Sequence, residues 1–506
     1  QDTESKDTGG STPALTPSVE GADLMVGDLM DQITFQYDSS AASGSGSGSN
    51  SGTYNGNGTA WMVKDINTGS SYGSTTLLSY PMVIGNMMYF NADDGNNGKE
   101  LWKSDGTTSG TMMVKDINSG SGDSNPYPIT AIGNTLYFIA NDGTNGEELW
   151  KSDGTASGTV MVKDIRNGSY GGMVYGQSGA TAIGNTLYFS ASEGHSSGPE
   201  LWKSDGTEAG TVMVKDIYTI TASGGSLPQD LTAIGNTLYF TADDGNNGNE
   251  LWKSDGTEAG TVMVKDINSG SGDSNSKYLT AVGNTLYFQA DDGNNGNELW
   301  KSDGTASGTM MVKDINSGSG SGMTLNSCDM YAKIEFNNAL YFRADDGTNG
   351  CELWKSDGTA SGTVMVKDIN SGSGEGFPQY IAATGDTLYF KANDGTNGYE
   401  LWKSDGTASG TVMVKDINSG SDQSNIIFIT PFGNTVYFYG TDGNNGDELW
   451  KSDGTDAGTV MVQDINSGSG SSMPVYLTPF GNKLYFGADD GNGRELWALD
   501  PANLTG

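Results

Sequence analysis

Histidine is nearly missing from this chain, with His195 its only imidazole in 506 residues. A mechanism that needs paired imidazoles is excluded, and no activated nucleophile stands near His195 in sequence. Cysteine is almost as scarce, Cys328 and Cys351 being the only two. Cationic side chains are outnumbered, 25 Lys and Arg against 62 Asp and Glu, for a formal net charge of −37. A surface of that sign repels nucleic acid and anionic membrane. No apolar run reaches the roughly 20 residues of a membrane-spanning helix. No segment of useful length carries a 3.6-residue apolar period either, so helix is expected to be nearly absent.

What fills the chain instead is one phrase, close to LTAIGNTLYFxADDGNNGxELWKSDGTxxGTVMVKDINSGSG, written nine times. Its tryptophans are Trp102, Trp150, Trp202, Trp252, Trp300, Trp354, Trp402, Trp450 and Trp497, spaced 47 to 54 residues apart. A period in that range marks a repeat architecture. The MVKDI phrase follows every ELW triplet except the last, and one extra copy, Trp61 to Ile66, stands ahead of the array. An open solenoid gains nothing from that displacement, whereas a closed ring needs it. The strand with Trp61, Val63 and Asp65 is expected to pair with the terminal Glu495–Leu499 segment.

Within a copy the elements read as strands. In the second, Ile129–Ile132 ends at the turn signal Gly133–Asn134, and Leu136–Ile139 is rich in aromatic and branched residues. Glu148–Lys151 and Val160–Ile165 follow, separated by the glycine-rich Ser152–Thr159 turn. Four short antiparallel strands per fifty residues is the blade of a β-propeller. The fold expected is all-β, about nine four-stranded blades over residues 58–506. LTAIG would be the inner strand A, then LYF (B), ELW (C) and the outer VKD (D), with the B–C and D–A loops on one face. The tryptophans read as wedges between sheets. The Lys and Asp of VKDI and the Glu of ELW read as exposed edge charges or inter-blade ion pairs.

Residues 1–57 lie outside the array. They are Ser-, Gly- and Thr-rich, with one isolated strand expected over 31–38, where Ile33, Phe35 and Tyr37 alternate with polar residues. That strand would fold back, or pair with a neighbouring molecule to build a filament. The first residue is Gln1, read as the trace of a removed signal segment. Cys328 and Cys351 fall on loops of the same face in the sixth copy, so a local disulfide and an extracellular or cell-surface setting are expected. Asn57, Asn167 and Asn503 match the glycosylation acceptor pattern.

The octapeptide ELWKSDGT, as at Glu200–Thr207, resembles the ELWxxDGT repeat of large secreted or surface-attached microbial proteins. The resemblance covers about residues 58–500 and implies an exported, propeller-like array. It carries over no activity.

Two chemistries remain to be weighed. The B–C loops hold carboxylates at Asp94, Asp142, Asp244, Asp292, Asp346, Asp394, Asp442 and Asp490, which make them weak candidates for Ca2+. They lack the EF-hand ligand spacing, and Asp-Gly is also ordinary turn chemistry. Catalysis is expected from none of the repeated residues, since nothing distinguishes one copy from another. Unrepeated residues, namely His195, Arg166, Arg343, Arg494 and the Cys328 loop, are the better candidates. The functional expectation is a non-catalytic extracellular scaffold for adhesion or binding. Its alternatives are a self-assembling filament subunit and a polysaccharide-binding or polysaccharide-active protein. The partners would be a surface glycan, a protein or a second copy.

Overall fold

The computed structural model describes residues 60–68, 79–173, 179–194, 198–220, 224–324 and 328–504. The expected strand of Ile33, Phe35 and Tyr37, the acceptor Asn57 and the sole histidine His195 lie outside the described residues.

Those residues form nine separate four-stranded antiparallel sheets, eight in simple sequence order and the ninth completed by the first described strand. In blade 1, strands A to D are Ser79–Ile84, Met87–Asp93, Lys99–Ser104 and Met112–Lys115. Strand A of one sheet lies against strand A of the next, which puts A at the axis and D at the rim. This is the propeller expected from the period.

The ring closes as the displaced phrase requires. Ala60–Lys64 takes the D position of blade 9 against Arg494–Leu499, with Trp61 opposite Ala498 and Met62 opposite Trp497. Val63 sits buried at a bulge in that ladder, and Asp65 lies exposed just beyond it. The Ala60 N–H donates to Gln463 Oε1 of blade 8 at 3.0 Å, which gives the one MVQDI copy a use at the seam.

Packing is carried by the interfaces between blades. Blade 1 supplies Tyr89, Leu101 and Val114, and blade 2 supplies Leu136, Phe138 and Trp150. At the seam Tyr485 and Leu496 meet Phe90 and Trp102 in the same arrangement. A tryptophan that buries roughly 150–250 Å² contributes about 4–6 kcal/mol per interface before entropy is counted. A socket locks each step. Lys103 Nζ donates to Gly154 O of the following blade at 2.8 Å, and a Cβ on Gly154 (φ +85°) would run into the Tyr89 hydroxyl.

The repeated charges behave as expected only in part. The Lys of VKDI bonds across blades, but chiefly to carbonyls: Lys115 Nζ donates to Thr159 O at 2.8 Å and lies 5.8 Å from the centre of the Trp150 ring, while Lys415 also meets Asp456 at 3.3 Å. The ELW glutamates are buried, not exposed. Glu298 accepts from the Ile315 N–H at 2.8 Å, Asn316 N–H at 3.2 Å and Gly322 N–H at 2.7 Å. The reason is the D–A crossover, which turns inward and leaves backbone N–H groups away from water. A buried donor without an acceptor is costly, and the carboxylate supplies one. Ion pairs join Arg343 to Asp329 and Lys415 to Asp456.

Candidate functional site

The B–C loop carboxylates serve their own turns. Asp94 Oδ1 accepts from the Asn96 and Asn97 N–H groups at 2.9 Å, and its Oδ2 accepts from Asn97 Nδ2 at 2.8 Å. The pattern recurs at Asp142, Asp244, Asp292, Asp346, Asp394 and Asp442. Asp490, in the shortened last loop, keeps two bonds to Asn492. Partial burial pushes these seven repeated carboxyls up, but the N–H donors outweigh it and hold them below the usual range. Among the described residues no three acidic, Cys or His side chains converge. Asn167 is exposed, and Asn503 lies in the terminal turn Pro501–Leu504.

The unrepeated residues do converge. Cys328, on the crossover from blade 5 to blade 6, is bonded to Cys351, the first residue of strand C in blade 6, with Cα atoms 5.7 Å apart. The bond pins the segment that carries Asp329. Arg343, on strand B of blade 6, donates from its terminal nitrogen to Asp329 Oδ1 at 2.6 Å and from Nε to Asp329 O at 3.1 Å. Asp329 Oδ2 accepts from the Tyr278 hydroxyl at 2.9 Å, and the Tyr278 N–H donates to Asp230 Oδ2 at 2.7 Å. Burial raises both the Tyr278 hydroxyl, with the Asp329 charge adding, and the Asp230 carboxyl, against which Lys333 pulls. One network thus links blades 4, 5 and 6. Arg166 stays apart, stacked 4.8 Å from the exposed Tyr170 ring.

The innermost strands explain why these groups meet. Strand A is bulged after its first residue in six blades, with a register slip such as Lys277/Thr280. Its second residue holds positive φ: Tyr80 55°, Asp230 55°, Tyr278 60°, Tyr380 53°, Phe428 56° and Tyr476 57°. Such a conformation costs roughly 1–3 kcal/mol for a residue with a side chain, and bulges re-aim side chains. In four of the six a threonine two residues on offsets part of the cost by donating to the bulged carbonyl, as Thr280 Oγ1 does to Tyr278 O at 3.0 Å. The result is an aromatic belt at the axis. Tyr80 meets Tyr127 at 4.6 Å and, across the seam, Tyr476 at 5.9 Å; Phe428 stacks on Tyr476 at 6.4 Å. Strand A follows the D–A loop, so the belt lies toward the face that carries the D–A and B–C loops.

Cations complete this mouth. Lys391 on strand B of blade 7 stands 5.8 Å from the Tyr380 ring and 5.0 Å from the Tyr399 ring. Burial brings its ammonium down to about 8, while the Glu400 charge pulls the other way. Lys333 Nζ lies 5.3 Å from the Tyr278 ring, and the Arg343 guanidinium 4.5 Å from Phe377. Arg494 is lowered by burial against the pull of Asp489, Tyr476 and Tyr439.

A signal for this site was present in the repeat and went unread. The position after Leu-Tyr-Phe on strand B holds Asn91, Ile139, Ser190, Thr241, Gln289, Arg343, Lys391, Tyr439 and Gly487. These are nine different residues in nine copies, flanked by near-constant ones. Seven of them pair with, or lie opposite, the first residue of a bulged or aromatic strand A, as Lys391 does with Gln379. Of the 25 cations, sixteen are the repeated lysines of ELWKS and VKD, which leaves nine. Five of those nine, Lys277, Lys333, Arg343, Lys391 and Arg494, border the inner strands at this mouth.

No family model matches this chain, and no curated protein matches it in sequence. The likeness to the ELWxxDGT repeat therefore rests on the octapeptide alone. Solved structures do resemble it in fold. A puromycin hydrolase gives a TM-score of 0.38 at 13% identity, covering 72% of this chain and 58% of that one. Prolyl oligopeptidase B from Galerina marginata gives 0.39 at 11%, covering 74% and 54%. A puromycin-hydrolyzing peptidase from Mycobacterium tuberculosis gives 0.36 at 11%, covering 72% and 58%. The chain spans about half the length of these structures. Their names are those of hydrolases and peptidases; the expectation of a non-catalytic scaffold or filament subunit finds no counterpart among them and is not taken further. At these scores the likeness concerns the propeller fold and places no active site.

Proposed function

We propose that the chain engages peptides at its axial mouth, in a peptide-processing role. The observation that carries the reading is the concentration of unlike residues at one end of near-identical blades. A purely structural ring of nine copies gains nothing from nine different wall residues. A wall that must recognise an asymmetric ligand needs them. Aromatic rings in edge contact suit side chains that insert between them, and charges of both signs suit a backbone with polar ends. The rings meet edge to face at Tyr80–Tyr127 and Tyr80–Tyr476, so they offer no flat platform for a sugar. The Cys328–Cys351 bond supports an oxidising compartment.

The test is a panel of short peptides mixed with the full chain, read by calorimetry for binding and by mass spectrometry for cleavage. The reading expects saturable binding that is lost when Tyr380 and Tyr399 are both changed to Ala. Cleavage products would place the reaction on this chain itself, and binding without them would assign it the engagement step alone. Absence of binding across the panel would remove the reading.

A further inference from the structure

We propose that the sector of the mouth between blades 5 and 7 receives the free carboxylate of a peptide C-terminus, with the Lys391 ammonium as its contact. This deepens the reading above and rests on it.

The argument begins with charge. The protein carries −37 overall, so cations gathered at one place are set against a strongly unfavourable background. Lys333 and Arg343 nonetheless stand on the paired strands A and B of blade 6, and Lys391 on strand B of blade 7. Their neutralisation differs. Arg343 is answered by Asp329 at 2.6 Å. Lys391 has no carboxylate within ion-pair distance among the described residues. Its ammonium is held instead between the faces of Tyr380 and Tyr399. Burial and the Glu375 charge raise the Tyr399 hydroxyl, and Arg343 pulls the other way. Glu400 acts on that ammonium only from beyond ion-pair distance, so a partly buried ammonium framed by aromatic rings has no directly bonded anion to offset its lost hydration. A ligand carboxylate supplies that anion through a charge-assisted hydrogen bond.

Charge also narrows the ligand class. An acidic glycan bears one negative charge per sugar and would approach a protein of net charge −37, a surface that repels polyanions. A peptide brings a single terminal carboxylate. The observations therefore favour a single carboxylate at the end of an otherwise neutral chain.

The experiment uses the full chain and the N-acetylated tetrapeptide Ala-Ala-Phe-Ala as the free acid and as the C-terminal amide, with a tetragalacturonate as the glycan probe. The acid is expected to bind about tenfold more tightly than the amide, the scale of one hydrogen bond to a charged group. Lys391→Met is expected to shrink the acid–amide difference to less than about twofold, and Lys391→Arg to restore part of it. The acid–amide comparison on the wild-type protein stands even if a variant folds poorly. Equal binding of acid and amide would overturn the carboxylate assignment and leave the peptide reading intact. Failure of both peptides to bind would overturn both. Preferential binding of the tetragalacturonate would replace the peptide with an acidic glycan.

Discussion

Removing one buried glutamate from one blade should open one crossover and spare its neighbours. Glu298 is fully enclosed and its two oxygens accept three backbone N–H groups, from Ile315, Asn316 and Gly322. Glu298→Ala leaves all three donors buried and unpaired. At about 1–3 kcal/mol for each such group, with some relaxation, the local cost is about 3–5 kcal/mol. Glu298→Gln keeps one oxygen but turns an NH2 group toward a donor, so about 1–3 kcal/mol is expected. The assay is amide exchange read by mass spectrometry over residues 314–323. The Ala variant should exchange there faster by about two to three orders of magnitude, since each factor of ten is about 1.4 kcal/mol. The matching crossovers of distant blades should not change. The titration sign adds a second check. Burial raises the Glu298 carboxyl from 4.5 to about 7. The folded state therefore holds the extra proton between those values, and its contribution falls as pH rises from about 4.5 through 7. Gln does not titrate, so the gap between wild type and Glu298→Gln should narrow from pH 5 to pH 8. Exchange unchanged in the Ala variant, or a gap that widens with pH, would refute this account of the glutamates.

Other outcomes follow from the same structure. The raised glutamates of all nine blades lose their contribution as pH climbs, seven of them toward about 7, while the lowered loop aspartates lose theirs as pH falls below about 3.8. Thermal stability should therefore peak near about pH 5, and a maximum above pH 8 would contradict it. Reducing Cys328–Cys351, which closes a loop of 23 residues in sequence, should cost about 3 kcal/mol and loosen Asp329 from Arg343. The check is a melting curve with and without reductant, together with peptide affinity. A chelator should leave the melting temperature unchanged, because the Asp94-type carboxylates already accept the N–H groups of their own turns; a marked drop would restore calcium to those loops. Gly154→Val should destabilise the blade 1–2 interface by several kcal/mol, because it combines an unfavourable φ with a clash against Tyr89.

The ring itself was legible in the sequence because its evidence is periodic. Nine ELW triplets and one misplaced MVKDI specify blade count and seam, and Trp61 opposite Ala498 bears that out. The Cys328–Cys351 pair was legible for a related reason, since strand order put both loops on one face. Charge roles were not legible, because period and composition do not say which way a crossover turns. Glu298 reads as an edge charge until the chain from Ile315 to Gly322 folds over it. The bulges at Tyr278 and Tyr380 were hidden as well: LTAIG looks like a plain strand, and positive φ at a tyrosine has no local signature. The mouth was partly legible. Arg343 and the Cys328 loop stood out as unrepeated, but only the fold shows that Asp329 and Arg343 touch. Attention to the repeated letters hid the informative one, the single position where no two blades agree.

The most direct measurement is a map of where a peptide touches this protein. A tetrapeptide with a photoreactive side chain and a free C-terminus is irradiated with the full chain, and the labelled residues are found by mass spectrometry. The account predicts labels on Tyr278, Tyr380, Lys391 and Tyr399, and their loss on competition with unlabelled peptide. Labels spread over the rim strands, or labels that no competitor reduces, would contradict it.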